Sequence, residues 1–400
     1  MKCQLCLITL ILISFLSCEK SKYPFQNPDP LANIDTSALE LMWEKPLDSN
    51  FQKIQIYPFP SGDNIIHTYD FGFYQILVYR NGKTGEEIKR INLSHLIYPT
   101  NGAIFNEKLI FGGIKSFGVL EPKTSIIEYP YSTVNPNVYI NERFTMFNEF
   151  VLTNEYSIQP QDSMDRIIAI NVKNNTSRVL FNEKNSLGKQ ILGKANLWAN
   201  EVGDTILSIA RSYQWNVTSP SNFTSFNISK NKVLYEMKIS ILRQGSDFIC
   251  FNKKIYAVTY NNTVMCIDGN TGSLLWEYNG NGSKSITTLQ IAVFDKQLII
   301  VSSFYKTTLI SLDIETGKAL WTNSDIAFFN DNMKFLLIDN QLYFGKDDFI
   351  YGIDKNTGIL LKKQQVTNGK NHLISNLSYS ENNKLIYAID SNFIKAFRIK

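Results

Sequence analysis

The side chains best suited to chemistry in this chain are carboxylates that recur in one repeated motif. Asp268, Asp313 and Asp354 each begin an Asp-x-x-Thr-Gly sequence. Carboxylates can bind Ca²⁺, but a calcium site needs several of them at suitable spacing. An Asp at the start of a tight turn can instead accept hydrogen bonds from backbone N–H groups two or three residues later. We therefore interpret these carboxylates as structural, and we predict no catalytic residue and no metal site.

The histidines and the internal cysteines give no stronger signal for a reactive site. His67, His95 and His372 are isolated in the sequence and are interpreted as ordinary surface or core residues. Cys250 and Cys266 fall on the first and third of three consecutive predicted strands. Two strand spacings would hold them about 9.6 Å apart, which exceeds the reach of a disulfide. We expect both to be buried free thiols.

The carboxylate motif is part of a longer repeat with a period of about 40–50 residues, which is typical of propeller blades. Short apolar runs bounded by Asn, Gly and Asp surround each copy and predict strands. The Gly of the motif provides the positive φ that the turn requires. A Trp five residues after the Thr suits packing between sheets. The best copies contain these residues: Asp268, Thr271, Gly272 and Trp276; Asp313, Thr316, Gly317 and Trp321; Asp354, Thr357 and Gly358.

The register of the repeat locates weaker copies elsewhere in the chain. The Thr positions fall at residues 84, 124, 176, 230, 271, 316 and 357. In the copy at Lys230, Asn227 occupies the Asp place and Asn231 the Gly place. Asn is the residue that most readily replaces Gly in a left-handed backbone conformation.

The two ends of the chain together supply one further blade. Residues 385–389 and 394–399 resemble its second and third strands, and residues 39–43 resemble an isolated fourth strand that ends in Trp43. The sequence therefore predicts an all-β protein, an eight-bladed β-propeller of four-stranded antiparallel blades whose last blade is closed by the N-terminal strand. Such closure leaves only short sheet edges exposed.

The first residues predict export from the cytoplasm. Residues 5–16 are apolar and follow Lys2, but the run is too short to span a bilayer, so we assign residues 1–17 to a signal peptide. Residues 15–18, Phe-Leu-Ser-Cys, resemble a bacterial lipobox, which would make Cys18 the lipidated first residue of the mature chain. The alternative is an ordinary signal peptide in which Cys18 is incidental.

The remaining division of the chain follows from its composition. Residues 18–37 contain three prolines and no apolar periodicity, and we interpret them as a tether from the lipidated cysteine to a propeller spanning residues 38–400. The formal net charge is +4, with both signs interspersed. No long basic run is present, so nucleic acid is not expected as a partner.

The Asp-x-x-Thr-Gly-x-x-x-Trp unit, repeated around a propeller, resembles the quinoprotein-type, PQQ-like repeat. The resemblance covers about residues 38–400 and is most specific at residues 268–276 and 313–321. It implies one of two functional branches. One branch contains quinone-dependent alcohol and sugar dehydrogenases. The other contains lipoprotein scaffolds of the outer-membrane β-barrel assembly machinery, of which BamB is typical.

The sequence favours the non-enzymatic branch. The resemblance implies that a dehydrogenase would hold its quinone beneath long inserted loops, beside a Ca²⁺ bound by Glu, Asn and Asp, often with a disulfide between adjacent cysteines. This chain has no adjacent cysteine pair, and its blades leave little room for inserted loops. We therefore expect neither enzymatic activity nor a bound cofactor.

Aromatic side chains concentrate in the loops between the second and third strands of the blades. In this fold those loops open at the end opposite the Thr-Gly turns, so the aromatic residues are expected to gather on one rim. The alternative is that some of these rings fill the seams between blades. Tyr, Trp and Arg frequently dominate binding energy at interfaces. The predicted partner-binding residues are Tyr69, Phe73, Tyr74, Tyr156, Arg211, Tyr213, Trp215, Tyr260 and Tyr305.

These features predict a monomeric, lipid-anchored propeller at the bacterial outer membrane, facing the periplasm. Its expected role is that of a protein-binding scaffold in outer-membrane protein assembly. A surface lipoprotein that binds carbohydrate or peptide is the first alternative. A quinone (PQQ)-dependent dehydrogenase is the second.

Replacing Cys18 with Ser should abolish membrane anchoring, because stable attachment needs the acyl chains that this cysteine would carry. The exported variant should appear in the soluble fraction after cell lysis, whereas the unmodified protein should fractionate with membranes. A variant that still sediments with membranes after a high-salt wash would contradict Cys18 as the anchor.

Overall fold

A computed structural model of the 400-residue chain describes most of the region after residue 33. The described residues are 34–47, 56–58, 63–70, 75–93, 102–113, 115–133, 135, 137–157, 164–184, 189–190, 195–213, 221–239, 248–259, 263–280, 288–304, 306–324, 335–367, 377–390 and 392–400. Cys18 and the predicted signal peptide lie outside them.

Within these residues the chain forms eight antiparallel sheets, each of which is one blade of a propeller. The first strand, β1 (Leu39–Pro46), belongs to the last blade. Blade 1 contains β2 (Ile56–Pro58), β3 (Asn64–Asp70), β4 (Gln75–Asn81) and β5 (Glu87–Leu93). Blade 2 contains β6 (Gly102–Phe105), β7 (Lys108–Gly112), β8 (Ser116–Glu121) and β9 (Ile126–Ser132). Blade 3 contains β10 (Val138–Phe147), β11 (Phe150–Ser157), β12 (Met164–Asn171) and β13 (Thr176–Lys184).

Blade 4 differs from the others because two short strands, β14 and β15, both pair with the first of its three long strands, β16. Its strands are β14 (Lys189–Gln190), β15 (Asn196–Ala199), β16 (Thr205–Tyr213), β17 (Ser221–Asn227) and β18 (Lys232–Ile239). Blade 5 contains β19 (Phe248–Phe251), β20 (Lys254–Val258), β21 (Val264–Asp268) and β22 (Leu274–Tyr278). Blade 6 contains β23 (Thr288–Phe294), β24 (Gln297–Phe304), β25 (Lys306–Asp313) and β26 (Ala319–Asn323).

The last two blades complete the circle and confirm the predicted fold class. Blade 7 contains β27 (Leu336–Ile338), β28 (Gln341–Lys346), β29 (Phe349–Asp354) and β30 (Leu360–Gln365). Blade 8 contains β31 (Ser378–Ser380), β32 (Leu385–Ile389) and β33 (Phe393–Ile399), with β1 as its fourth strand.

The propeller has two ends, which we name by their loops. The turn face carries the loops between the third and fourth strands, such as the Asp-x-x-Thr-Gly turn at residues 354–358. The rim face carries the loops between the second and third strands, such as residues 347–348. The two sets of loops lie at opposite ends because consecutive strands of each blade are antiparallel.

The hydrophobic core lies in the eight seams between neighbouring blades. Successive side chains of a strand point to opposite faces of its sheet. Ile65 of β3 consequently packs in the seam with blade 8, and the adjacent Ile66 packs in the seam with blade 2. On β28, Leu342 faces blade 6 and Tyr343 faces blade 8. Both faces of an inner strand are buried, which explains the continuous apolar runs in the sequence.

The recurring Asp closes each turn by accepting several hydrogen bonds at one oxygen. Asp354 Oδ1 accepts from the backbone N–H of Asn356 at 2.9 Å, and from the N–H and hydroxyl of Thr357 at 2.8 and 3.0 Å. Asp313 accepts the equivalent hydrogen bonds in the blade 6 turn. They hold the pKa of Asp313 below its usual value, with the bond from the Thr316 hydroxyl as the main cause. Asn231 has a φ of 50°, which confirms the predicted left-handed conformation of the weaker copy in blade 4.

The Trp of an outer strand bonds to the turn of the next blade. Trp321 Nε1 donates to the carbonyl oxygen of Lys355, the second residue of the blade 7 turn, at 2.8 Å. Gly317 has a φ of 68°, and a Cβ there would lie 2.6 Å from Trp276 Cδ2. Gly317 therefore has two roles: it adopts the positive φ that the turn requires, and its lack of a Cβ leaves room for the Trp276 ring. Equivalent bonds run from Trp43 to Gly82 O at 2.8 Å and from Trp276 to Ile314 O at 3.2 Å.

Blade 7 departs from this pattern at the position where its Trp would lie, which is occupied by Lys362. The neighbouring blade 8 has no third-to-fourth-strand turn to receive a Trp, because its fourth strand is β1. The chain just before β1 lies there instead. The Asp35 N–H donates to Leu361 O at 3.0 Å, and the Lys363 N–H donates to Asp35 O at 3.2 Å.

The closure of blade 8 confirms the predicted pairing of the two ends of the chain. Leu39 lies opposite Ile399, and Pro46 lies opposite Phe393. The backbone of Leu39 also exchanges hydrogen bonds with the side-chain amide of Gln364 in blade 7. Strand β1 is thus held by blades on both sides.

The two described cysteines are free, as the strand spacing predicts. Cys266 is buried and Cys250 is partly buried, on β21 and β19 respectively. Burial raises the pKa of the Cys250 thiol to about 12 and that of Cys266 to about 11. No helix that could cross a bilayer occurs in the described part of the chain.

Deleting residues 19–34 should leave the melting temperature unchanged, because those residues precede the first contacts of β1. Deleting residues 19–43 should empty the Trp43 site and expose the edge of β33. The cost should be about 3–5 kcal/mol from the aromatic side chain alone, with aggregation. Thermal unfolding of the two variants compares these outcomes directly, and equal melting temperatures would contradict closure by β1.

Candidate binding face

The described backbone places three of the predicted aromatic residues at topologically equivalent positions. Tyr69 lies at the rim-face end of β3, opposite Ile76. Tyr156 lies near the same end of β11, and Tyr213 lies at the same end of β16. These residues share one face of the propeller because all three occupy the second strand of their blades.

The side chains that would form the binding surface fall outside the described residues. For Tyr69, Tyr156, Arg211 and Tyr213 the structure describes the backbone only. Phe73, Tyr74, Trp215, Tyr260 and Tyr305 lie in undescribed loops. Gathering of the rings on the rim therefore stays a prediction.

A buried ion group that the sequence analysis did not identify lies at the rim-face end of blade 8. The Lys395 ammonium contacts Asp390 at 3.0 Å and Glu44 at 2.9 Å, and donates to Val366 O at 2.9 Å. Burial lowers the pKa of Lys395, but the hydrogen bonds to the two carboxylates outweigh it and the net pKa is raised. The group joins β33 to β1 and to the end of blade 7.

A second buried charge lies at the corresponding end of blade 3. Glu155 is 2% exposed and accepts hydrogen bonds from the Tyr131 hydroxyl and from Arg166 Nη1, the latter at 2.8 Å. Burial raises the pKa of Glu155, and Arg166 only partly offsets this. Because Tyr131 belongs to blade 2, the carboxylate links the two blades beneath the rim.

Lys115 makes a further connection at this face, between blades 2 and 3. Its ammonium donates to the carbonyl oxygens of Val138 and Asn135, and lies 3.8 Å from the centre of the Tyr139 ring. Lys115, in the loop before β8, thus holds the segment that connects blade 2 to blade 3.

A sequence signal for these groups exists in hindsight, because Lys395 follows two apolar residues at the start of its strand and Glu155 is the one charged residue of its strand. A charge on such a strand must either be paired or point to solvent. The sequence does not contain the identity of the partners, which come from other strands and other blades.

The turn face carries paired charges of both signs. Lys83 contacts Asp63 at 2.8 Å, and Lys230 contacts Asp204 at 2.7 Å. Each of these pairs joins a third-to-fourth-strand turn to a first-to-second-strand turn. Further pairs on this face are Lys45–Glu86, Lys253–Glu201, Lys254–Glu315, Lys355–Asp295 and Lys384–Glu381.

The described carboxylates do not fit a calcium–quinone site. The motif Asp residues are occupied by their own turns, and the buried carboxylates Glu155 and Asp390 are paired with Arg166 and Lys395. In the described part of the chain, no three His, Cys, Asp or Glu side chains form a group that could hold a metal ion.

The eight sheets, their closing strand and the Trp-to-turn bonds define the class of eight-bladed β-propellers. Within this class, residues 196–391 match the family described as outer membrane protein assembly factor BamB. This part of the chain, just under half of its length, is therefore similar in sequence to that family. No curated protein matches it in sequence.

Solved structures share the fold over most of the chain. BamB from Moraxella catarrhalis aligns with a TM-score of 0.59 and 13% identity, covering 90% of this chain and 99% of that protein. The quinohemoprotein alcohol dehydrogenase ADHIIG from Pseudomonas putida HK5 aligns with a TM-score of 0.62 and 10% identity, covering 90% and 76% respectively. The computationally designed Ika8 protein aligns with a TM-score of 0.61 and 12% identity, covering 89% and 98%. These likenesses establish the fold.

Replacing Lys395 with Met should destabilise the propeller by about 3 kcal/mol, because it leaves the buried Asp390 without its charged partner. The matched control is Glu40→Gln, which removes an exposed contact of 3.8 Å to Arg398 on the same two strands and should cost less than about 1 kcal/mol. Denaturant unfolding measures both, and similar small losses would show that the buried group contributes little.

Proposed function

We propose that this protein is a non-catalytic scaffold of the bacterial envelope, lipid-anchored through Cys18, which binds a protein partner in outer-membrane protein assembly. The observation that carries the proposal is the match of residues 196–391 to the BamB assembly-factor family. The complete propeller supports it, since the fold similarity to Moraxella BamB extends over 90% of the chain.

The proposed binding face is the rim. The ion group of Lys395, the Glu155–Arg166 pair and the Lys115 contacts fasten blade ends beneath this face. These contacts make the ends of the blades rigid. Loops on a rigid scaffold lose less conformational freedom when a partner binds, which favours recognition at this face. The turn face, in contrast, is occupied by its own hydrogen bonds and ion pairs.

A pull-down of the lipidated protein from envelope extracts tests the assembly role. The result expected is specific recovery of outer-membrane assembly components. Recovery of polysaccharide-uptake components, or specific retention on a glycan panel, would instead favour the carbohydrate-binding alternative, because the predicted rim aromatics could also stack on sugar rings.

Alanine substitutions at Trp215 and Tyr74 should weaken capture of the partner, because large rings at a protein interface often contribute about 2 kcal/mol or more each. The melting temperature of both variants should stay close to that of the unmodified protein. Tyr278→Ala is the matched control, because Tyr278 is 9% exposed in the seam between blades 5 and 6 and should affect stability instead. A large loss of stability in the Trp215 variant would place that ring in a seam and contradict its binding role.

Reconstitution with Ca²⁺ and the quinone should produce no oxidation of alcohols or sugars. We expect this because the described Asp and Glu side chains already bond to their own turns or to Arg166 and Lys395, which leaves them unsuited to bind Ca²⁺. The short loops between strands also leave little chain to cover a quinone. Dye reduction over a substrate panel measures it, with heat-denatured protein as the control. Turnover clearly above that control would overturn the scaffold proposal.

A further inference from the structure

A buried histidine–arginine pair lies in the seam between blades 8 and 1, where the ring closes. His67 of β3 is 0% exposed and Arg80 of β4 is 6% exposed. Alternate side chains of a strand share one face of the sheet. His67 therefore faces blade 8 beside Ile65, and Arg80 faces blade 8 beside Val78, because both apolar residues pack in that seam. Two polar side chains are thus enclosed in the contact between the last blade and the first.

The repeat does not account for polar residues at these two positions. His67 lies three residues after the partner of Asn81, the first residue of the blade 1 turn, and Arg80 immediately precedes that turn. The corresponding residues of blades 5 and 7 are buried and apolar: Ala257 and Ile267 in blade 5, and Phe344 and Ile353 in blade 7. A residue that breaks a packing pattern inside a core is a candidate for a second role.

The hydrogen bond between the two side chains fixes the charge of the histidine. Arg80 Nε donates to His67 Nε2 at 2.8 Å. A guanidinium has only donors, so Nε2 carries a lone pair and the imidazole is neutral, with its proton on Nδ1. A protonated imidazole would lose this bond and place a second positive charge against the guanidinium. Burial is the main cause of a pKa of His67 well below its usual value, and the positive charges of Arg80 and Arg90 lower it further.

Arg80 connects this pair to the closing strand through the blade 1 turn. Its Nη1 donates to Gly85 O at 3.0 Å. Gly85 lies against the indole of Trp43 in β1, since a Cβ at Gly85 would lie 2.7 Å from Trp43 Cε3. Trp43 and Tyr387 of blade 8 both donate to Gly82 O in the same turn, at 2.8 and 3.3 Å. The turn that receives β1 is therefore held by Arg80, whose own acceptor is the neutral imidazole.

The other titratable groups around this seam have partners or stay neutral. Glu87 of β5 lies 3.6 Å from Arg80 Nη2 and accepts from Arg90 Nε at 2.5 Å. Burial raises the pKa of Tyr387 to about 12, so its hydroxyl stays protonated. The ion pairs at the two ends of the seam are Lys45–Glu86, Lys83–Asp63, Lys395–Asp390 and Lys395–Glu44. Within this set, His67 is the group whose ordinary pKa lies nearest to neutrality.

We infer that the His67–Arg80 pair makes closure of the propeller sensitive to acid. When the seam opens and water reaches the imidazole, the ring can take up a proton that the closed seam does not accommodate. Opening is therefore independent of pH well above about 6.5, the ordinary pKa of histidine. Below that value each pH unit favours opening by up to about tenfold, because the open state then binds one proton more than the closed state. The closed ring accordingly loses stability as the pH falls.

Deuterium exchange of the β1 amides measures opening at the closing strand. After correction for the intrinsic exchange rate at each pH, the opening constant of β1 in the unmodified protein should rise about tenfold between about pH 7.5 and pH 5.5, because an exposed imidazole is mostly protonated at the lower pH. The His67→Gln variant keeps an acceptor for Arg80 but cannot be protonated, so the rise should disappear. Carboxylates such as Glu155 are present in both proteins, and their contribution cancels in the comparison.

The other two histidines of the chain provide matched controls. The variants His95→Gln and His372→Gln both retain His67, and both should show the tenfold rise. A rise of the same size in the His67→Gln variant, or none in the unmodified protein, would overturn the inference.

The location of the opening is tested by comparing β1 with β22 of blade 5, which is several blades away from the seam. At the lower pH the opening constant of β1 should exceed that of β22. Equal constants would mean that acid unfolds the propeller as one unit, and would overturn closure as the sensitive step. Should the His67→Gln variant fail to fold, exchange of the His67 ring C2 proton gives a second measurement. A ring that titrates near its ordinary pKa in the folded protein would contradict the inference, and a ring that stays neutral at about pH 5.5 would support it.

Discussion

The pairing of β1 with β33 is the interaction on which the rest of the structure depends. Seven of the blades consist of strands that follow one another in the chain, but blade 8 joins residues 39–46 to residues 393–399. A ring of sheets without this pairing would expose the third strand of blade 8 and leave the seams beside it incomplete. The pairing is therefore reinforced from three directions: the Trp43 bond to the blade 1 turn, the Gln364 amide of blade 7, and the buried Lys395 group between the two strands.

The fold could be predicted from the sequence because its determinants are local and repeated. Asp354 accepts hydrogen bonds within its own turn, and each outer Trp occurs at a fixed distance from the Thr, so one pattern identifies both the turn and the strand after it. The closing strand could be recognised because Trp43 keeps this register. Lys362 occupies the Trp position in blade 7, and it is consistent with this pattern because blade 8 has no third-to-fourth-strand turn against which a Trp could pack.

The buried charges and the binding surface could not be predicted to the same extent. Lys395 is a single lysine in a largely apolar strand, and its partners Asp390 and Glu44 come from the blade 8 loop and from the closing strand β1. Glu155 similarly depends on Tyr131 from a different blade. The loop aromatics could be assigned to one face because that assignment needs only strand order. Their side-chain arrangement depends on loop conformation, for which the sequence contains no repeated pattern.

The contribution of both chain ends to blade 8 also determines the order in which the protein can mature. The strand β1 is synthesised more than 340 residues before its partner strand β33. Until then the blades can form one after another, yet the ring stays open and the edges of its terminal sheets are free to pair wrongly. Contacts between such distant residues are also slow to form. The open intermediate is consequently the stage at which a chaperone would be of most use to this protein.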